Sequence, residues 1–62
     1  MKFKETVEIY GTIKAETDMA ILVDDGAFEV WLPKSQVEYY GEVGEECIVE
    51  VPEWLAYDKE LI

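Results

Sequence analysis

Residues 19–33 read MAILVDDGAFEVWLP, and this stretch decides the fold class. A short apolar run beginning at Met19 leads into the turn residues Asp24 to Ala27, after which apolar and polar residues alternate. The Asp-Gly pair accepts the positive backbone φ of a tight turn. Pro33 cannot donate to a sheet ladder and so ends the second strand. The stretch predicts an antiparallel β-hairpin.

On the N-terminal side, apolar and polar residues alternate from Phe3 to Ala15, which is typical of a strand with one buried face. Gly11 interrupts this alternation, and Ile13 resumes it on the same parity. The strand is therefore expected to bend or bulge at the glycine instead of ending there.

On the C-terminal side, residues 37–40 and 47–51 predict two more short strands, joined by a flexible acidic connection. Pro52 suits the first position of a helix of about ten residues. Trp54 and Leu55 are expected to pack on the sheet.

These elements predict one mainly β domain over residues 1–62 with a short C-terminal helix. Two architectures satisfy four to five short antiparallel strands: a small curled antiparallel sheet, or an SH3-like or OB-like barrel whose closure protects the edges. The continuously apolar run after Met19 is expected in the middle of the sheet, because strands covered on both faces carry such runs.

Composition limits the classes of function. The chain contains fifteen acidic residues and five lysines, for a net charge of −10, and half of its residues are hydrophobic. That apolar content favours a packed core over a disordered acidic tail. With one cysteine and no signal-peptide pattern or apolar run of spanning length, a cytoplasmic protein without membrane contact is expected. The negative field repels nucleic acid and attracts cationic protein surfaces.

Three blocks of sequence carry a resemblance: Val30 to Val37, Val51 to Ala56, and the ending Lys59 to Ile62. With their two tryptophan-containing segments in this order, the blocks resemble small uncharacterised proteins of bacteria and their phages. They cover less than half of the chain. The resemblance implies a bacterial or phage setting and transfers no activity, because that group has no established one.

No residue pattern indicates catalysis, a metal or a cofactor. Cys47 begins an apolar strand and has no histidine to activate it, so a buried core thiol is expected. The segment Asp24 to Gly26 lacks the spaced oxygen ligands of a calcium loop, and turn chemistry explains it. A non-enzymatic protein is therefore expected.

The leading hypothesis is an acidic protein that docks on a basic site of a partner protein, which can itself be a nucleic-acid-binding protein. Trp31 lies on the polar side of its strand, where aromatic side chains anchor interfaces. The concrete form is a phage-encoded nucleic-acid mimic that inhibits a host nuclease or defence complex, as an anti-CRISPR protein does. The predicted docking residues are Trp31, Tyr39, Tyr40, Glu38, Glu42, Glu45, Glu46, Glu50 and Glu53.

The alternative is a small OB-like or SH3-like module that stacks the bases of single-stranded nucleic acid on aromatic side chains. Its residues are Tyr10, Lys14, Trp31 and Lys34, supported by Lys2 and Lys4. The charge argues against direct nucleic-acid binding, since phosphate contacts require cations. A third class is a structural subunit, with the chain as a monomer or a small homo-oligomer.

Overall fold

A computed structural model describes residues 5–62 as one antiparallel sheet of five strands, followed by a short helix. The predicted hairpin, the mainly β class and the C-terminal helix are confirmed. The start of the first predicted strand, at Phe3 and Lys4, lies outside the described residues. The strands are β1 (Thr6–Glu16), β2 (Ala20–Asp24), β3 (Glu29–Pro33), β4 (Glu38–Tyr39) and β5 (Glu46–Pro52); a 3₁₀ turn (Lys34–Gln36) precedes β4, and α1 (Glu53–Asp58) follows β5.

The strand order across the sheet is β3-β2-β1-β5-β4. β3 and β4 are the two edges, so the sheet is open and the SH3-like or OB-like barrel is wrong. β4 pairs with β5 at only two positions and does not reach β3. The long β1, not β2, is the central strand, because the C-terminal strand β5 returns to pair along β1 instead of at the hairpin edge.

β1 continues through Gly11 as predicted, but its irregularity lies elsewhere. The register with β2 shifts between Ile13 and Ala15, which makes Lys14 the extra residue of a bulge. Gly11 has a different structural role, because a Cβ at this position would lie 2.6 Å from the carbonyl oxygen of Asp24. The glycine therefore permits the end of β2 to approach β1 closely.

One face of the sheet carries the core, and it is built from alternate residues of each strand. Ile21, Val23, Leu32, Val49 and Val51 are fully buried there. The helix covers part of this face with Leu55 and Ala56. Trp54 was expected to pack on the sheet as well, but it is 60% exposed. Ala56 takes the second inward position, because the helix turns Trp54 away from the core.

The helix is shorter than predicted because the chain reverses at Glu60, whose φ of +62° is left-handed. The backbone N–H of Leu61 donates to the carbonyl of Ala56, and the N–H of Glu60 donates to that of Tyr57. These two bonds form a Schellman motif. No glycine marks this end in the sequence. None of the helical segments in residues 5–62 has the length and apolar character that crossing a membrane requires.

Candidate functional site

The face of the sheet opposite the core, here called the outer face, carries the candidate site. Because successive side chains in a strand point to opposite faces, the residues between core positions lie on this face. They include Tyr10 of β1 and Ile48 of β5, which lie directly opposite each other in the register and are both exposed. Large apolar side chains left in solvent at paired positions are typical of an interaction surface.

Three carboxylates cross the outer face in one row. Glu8 of β1 lies opposite Glu50 of β5, and Glu50 lies opposite Glu38 of β4. All three side chains are exposed. With neighbouring strands about 4.8 Å apart, the row spans about 10 Å. Like charges at directly opposed positions destabilise a sheet, so the row costs stability.

The pairing pattern places Glu8 and Glu50 especially close. Ile13 donates its N–H to the carbonyl of Glu45, which identifies the odd-numbered positions of β1 as hydrogen-bonded pairs with β5. Pairs alternate along antiparallel strands, so Glu8 and Glu50 form a non-hydrogen-bonded pair, the class with the closer side chains. Among residues 5–62 the one salt bridge joins Lys34 to Glu16, and no lysine compensates the row.

A second row, of two tyrosines and an isoleucine, borders the carboxylates. Tyr10 and Ile48 occupy the next outer-face positions. Tyr40 follows β4 and lines the same cleft as Ile48, with 89% of its surface exposed. A shallow cleft of about 390 Å³ lies between the two rows. We call these residues the acidic–aromatic patch, which comprises Glu8, Glu38, Glu50, Tyr10, Tyr40 and Ile48.

The patch contains only some of the predicted docking residues. Glu38, Glu50 and Tyr40 belong to it, and Glu46 lies farther along the same face, opposite Thr12. Tyr39 points to the other face, where it packs against the core, since it pairs with the buried Val49. Three predicted acids lie off the sheet face: Glu42 and Glu45 in the loop before β5, and the half-buried Glu53 at the start of the helix.

The two loop acids are partly explained by local structure. A side-chain oxygen of Glu45, Oε1, accepts a hydrogen bond from the backbone N–H of Glu42 at 2.9 Å. The backbone N–H of Glu45 in turn donates to the carbonyl of Glu42. These bonds shape the turn, and they give Glu45 a structural role besides its charge.

Trp31 is exposed, as its strand parity indicated, but it does not join the tyrosines. It pairs with Leu22 of β2, which pairs with Ala15 at the far end of β1 from Tyr10. Strand spacing and rise separate Trp31 from Tyr10 by about 15–20 Å. The structure therefore does not bring Trp31 together with Tyr10, and Trp31 instead borders a second cleft, which Lys34 also lines.

The residues of the alternative nucleic-acid site are not gathered on one surface. Tyr10 belongs to the acidic–aromatic patch, and Lys14 lies in the bulge of β1. The Lys34 ammonium is 2.6 Å from Glu16 Oε2, and this hydrogen bond raises the pKa of Lys34 and compensates its charge. Lys2 and Lys4 lie outside the described residues.

The remaining chemical candidates have structural explanations. Cys47 lies in the core, and burial raises the pKa of its thiol, with the negative charge of Glu45 adding to the effect. Asp25 accepts backbone hydrogen bonds from Ala27 and Phe28 in the hairpin turn, and these bonds lower the pKa of its carboxyl. Within residues 5–62, no group of three or more metal-ligating side chains converges.

Sequence reasoning missed Glu8 and Ile48 as members of the site and assigned Tyr10 only to the alternative. Parity alone placed all three on polar or mixed strand faces, and that signal was available. What was missing was the pairing of β1 with β5, which brings Glu8 beside Glu50 and Tyr10 beside Ile48.

Neutralising the middle of the acidic row is expected to stabilise the protein. Glu50→Gln removes the repulsion on both sides at once, and each opposed pair is worth about 0.2–1 kcal/mol. The free energy of unfolding, measured by urea titration, should therefore rise by about 0.5–1.5 kcal/mol at low salt. The gain should shrink in 1 M salt, where screening acts within about 3 Å.

The matched control is Asp58→Asn, which removes the same charge from an exposed position on the helix. Its effect should be within about 0.5 kcal/mol of zero. Equal gains from both substitutions would mean that total charge, not the row, sets the repulsion.

Compared with protein-family models, curated proteins and solved structures, the chain shows no significant match. The case for a function consequently depends on the chain's own residues and their arrangement.

Proposed function

We propose that this protein is a non-enzymatic binding protein that docks its acidic–aromatic patch on a basic site of a partner protein. The observation that carries the proposal is the row Glu8, Glu50 and Glu38, which forms no salt bridge with any lysine among residues 5–62, beside exposed aromatic and aliphatic side chains. The repulsion within this row costs stability in the free protein. A partner whose cations lie opposite the row would relieve that repulsion, and the relief would favour binding.

The chemistry of the patch favours arginine and lysine side chains as its ligands. Adjacent carboxylates about 5 Å apart can each accept hydrogen bonds from a guanidinium fork or an ammonium group. Tyr10, Tyr40 and Ile48 add apolar area at the border of the charged row, and their burial excludes water from the ion pairs. Tyrosine is one of the residue types in which binding hot spots are enriched, and arginine is another.

The finer form of the proposal is nucleic-acid mimicry. The row presents one carboxylate about every 5 Å, and each strand of B-DNA carries one phosphate for about every 3.4 Å of helix axis. A basic groove that holds a phosphate backbone would meet a similar line of charge on this sheet. In a phage or bacterial setting, such a domain would inhibit a host nuclease or defence complex by occupying its nucleic-acid site, as an anti-CRISPR protein does.

The test starts from the wild-type protein immobilised on a surface that captures partners from bacterial lysate. A captured protein is purified, and its association rate is measured at several salt concentrations against wild type and against the patch variant Glu8→Gln, Glu38→Gln, Glu50→Gln. We expect the patch variant to associate at least about tenfold more slowly at low salt, because charge steers encounter. A short DNA duplex should compete with the wild-type protein for the partner.

The matched control is the variant Glu42→Gln, Asp58→Asn, Glu60→Gln, which removes three exposed charges from outside the patch. It should bind nearly as fast as wild type. Equal weakening by both triple variants would overturn the patch, and a partner that binds DNA and this protein together would overturn mimicry. Binding of a labelled single-stranded oligonucleotide by the wild-type protein would instead support the alternative site around Trp31 and Lys34.

A further inference from the structure

A second feature that could bind a partner is the edge of β3 that faces away from β2, where backbone groups are available for hydrogen bonds. Asp25 donates its N–H to the carbonyl of Phe28, and Lys34 donates to that of Met19, at the two ends of the β2–β3 register. Hydrogen-bonded pairs alternate along antiparallel strands. Val30 and Leu32 therefore direct their backbone groups toward β2.

The intervening residues, Glu29, Trp31 and Pro33, direct theirs away from the sheet. The edge consequently offers the N–H groups of Glu29 and Trp31 and the carbonyls of all three residues. Pro33 has no backbone N–H, but at its outward-facing position an N–H would not bond to β2. Edge strands tolerate proline at such positions. In the part of the chain that the structure describes, no other strand or loop backbone bonds to this edge.

A cleft of about 440 Å³ lies beside the same edge. Its apolar walls are Met19, Ala20, Trp31 and Pro33, with Asp18 and Lys34 at the rim. The Lys34 charge is held by Glu16, so Asp18 leaves one negative charge in excess. An exposed tryptophan face next to a carboxylate suits a guanidinium group, which stacks on the ring and pairs with the acid.

We propose that β3 accepts an extended segment of another protein as a sixth strand, with an arginine of that segment in the Trp31 cleft. The proposal goes beyond the acidic–aromatic patch, because it concerns a different edge and a different kind of contact. Main-chain bonds to an exposed edge supply affinity in strand addition, and a side-chain pocket supplies specificity. A second copy of this chain fits poorly, since each copy carries a net charge of −10.

The probe is the synthetic peptide acetyl-Thr-Val-Arg-Val-Thr-amide, whose central arginine is placed to lie opposite Trp31. Binding is measured by amide hydrogen exchange and by tryptophan fluorescence in a Trp54→Phe background, where Trp31 is the single tryptophan. We expect saturating peptide to slow exchange at the amides of Glu29 and Trp31. A peptide with citrulline for arginine should bind about tenfold more weakly, because it loses the cation that Trp31 and Asp18 attract.

Two variants separate the edge from the cleft. Glu29→Pro removes one outward N–H without removing a bond to β2, and retained exchange protection at Val30 and Leu32 reports that the sheet is intact. Trp31→Ala removes the aromatic wall. Both should weaken binding of the arginine peptide, and a peptide N-methylated at the groups that face β3 should not bind.

The patch variant Glu8→Gln, Glu38→Gln, Glu50→Gln should still bind the peptide at high salt, so the two proposals can fail separately. Unchanged exchange at Glu29 and Trp31 under saturating peptide would overturn strand addition. Strand addition would also be overturned if the peptide slowed amide exchange mainly at Glu8 and Glu50. Sedimentation showing that a second copy of the chain occupies the edge would overturn it as well.

Discussion

Leu32→Ala is expected to remove a large part of the stability of this protein. Leu32 is 0% exposed and lies opposite the equally buried Ile21 in the β2–β3 pairing. Truncating a buried leucine costs about 2–5 kcal/mol, through lost burial and through the cavity that remains. A domain of this length holds about 3–9 kcal/mol in total. In urea titration the midpoint should fall sharply, with part of the population unfolded before denaturant is added.

The matched control is Phe28→Ala, which deletes a larger side chain just before the same strand. Phe28 is 45% exposed, so its truncation should cost only about 1 kcal/mol or less. A larger loss from Phe28→Ala than from Leu32→Ala would contradict the burial that the structure gives these two side chains.

Gly11→Ala is expected to destabilise the sheet although alanine suits a strand better than glycine. In an ordinary strand the change would gain about 0.5–1 kcal/mol, because alanine loses less conformational freedom on folding. At Gly11 the new Cβ would lie 2.6 Å from the Asp24 carbonyl oxygen and 2.8 Å from Val23 Cγ1. A backbone oxygen cannot rotate aside, so we expect a loss of about 1–3 kcal/mol in the free energy of unfolding.

The double variant Gly11→Ala, Val23→Ala tests which contact is responsible. Val23→Ala removes the side-chain contact and leaves the carbonyl contact, so Gly11→Ala should remain destabilising in that background. A Gly11→Ala protein as stable as wild type would contradict the close approach of β2 to β1.

β5 couples the core to the candidate site. Cys47, Val49 and Val51 face the core, and the alternating residues Ile48 and Glu50 face the patch. A slip of one residue in the pairing of β5 with β1 would bury the carboxylate and expose the valines. The burial of the apolar face thus holds the acidic row in place against its own repulsion.

Several local elements could be predicted because their causes are local. Strand alternation and the Asp-Gly turn act over a few residues, and both appear where the sequence indicated. Pro52 was expected at the first position of the helix, but it is the last residue of β5, and the helix begins one residue later at Glu53. Two other features were misplaced, for different reasons. The bulge at Lys14 depends on the pairing of β1 with β2 and not on β1 alone. The helix ends at Asp58 by local backbone bonds, but no glycine marks that end in the sequence.

The acidic character of the candidate site follows from composition, but its members do not. Nothing in the sequence separated Glu42, Glu45 and Glu53 from Glu38 and Glu50, because a count of charges does not show toward which surface each side chain points. Trp31 and Tyr10 share the outer face, yet several residues of β1 and one intervening strand separate them.

The amino-acid sequence by itself determined the mainly β class, the hairpin, the parity of β3 and of β1 up to Ile13, and the large negative charge, since these depend on residue type and short-range periodicity. Only the tertiary structure decided that the sheet stays open, that Glu8, Glu50 and Glu38 form a row, and that β3 keeps a free edge. Those features arise from the pairing of β1 with β5, segments from opposite ends of the chain. Their register is set by the burial of one shared apolar face, and no local pattern encodes it.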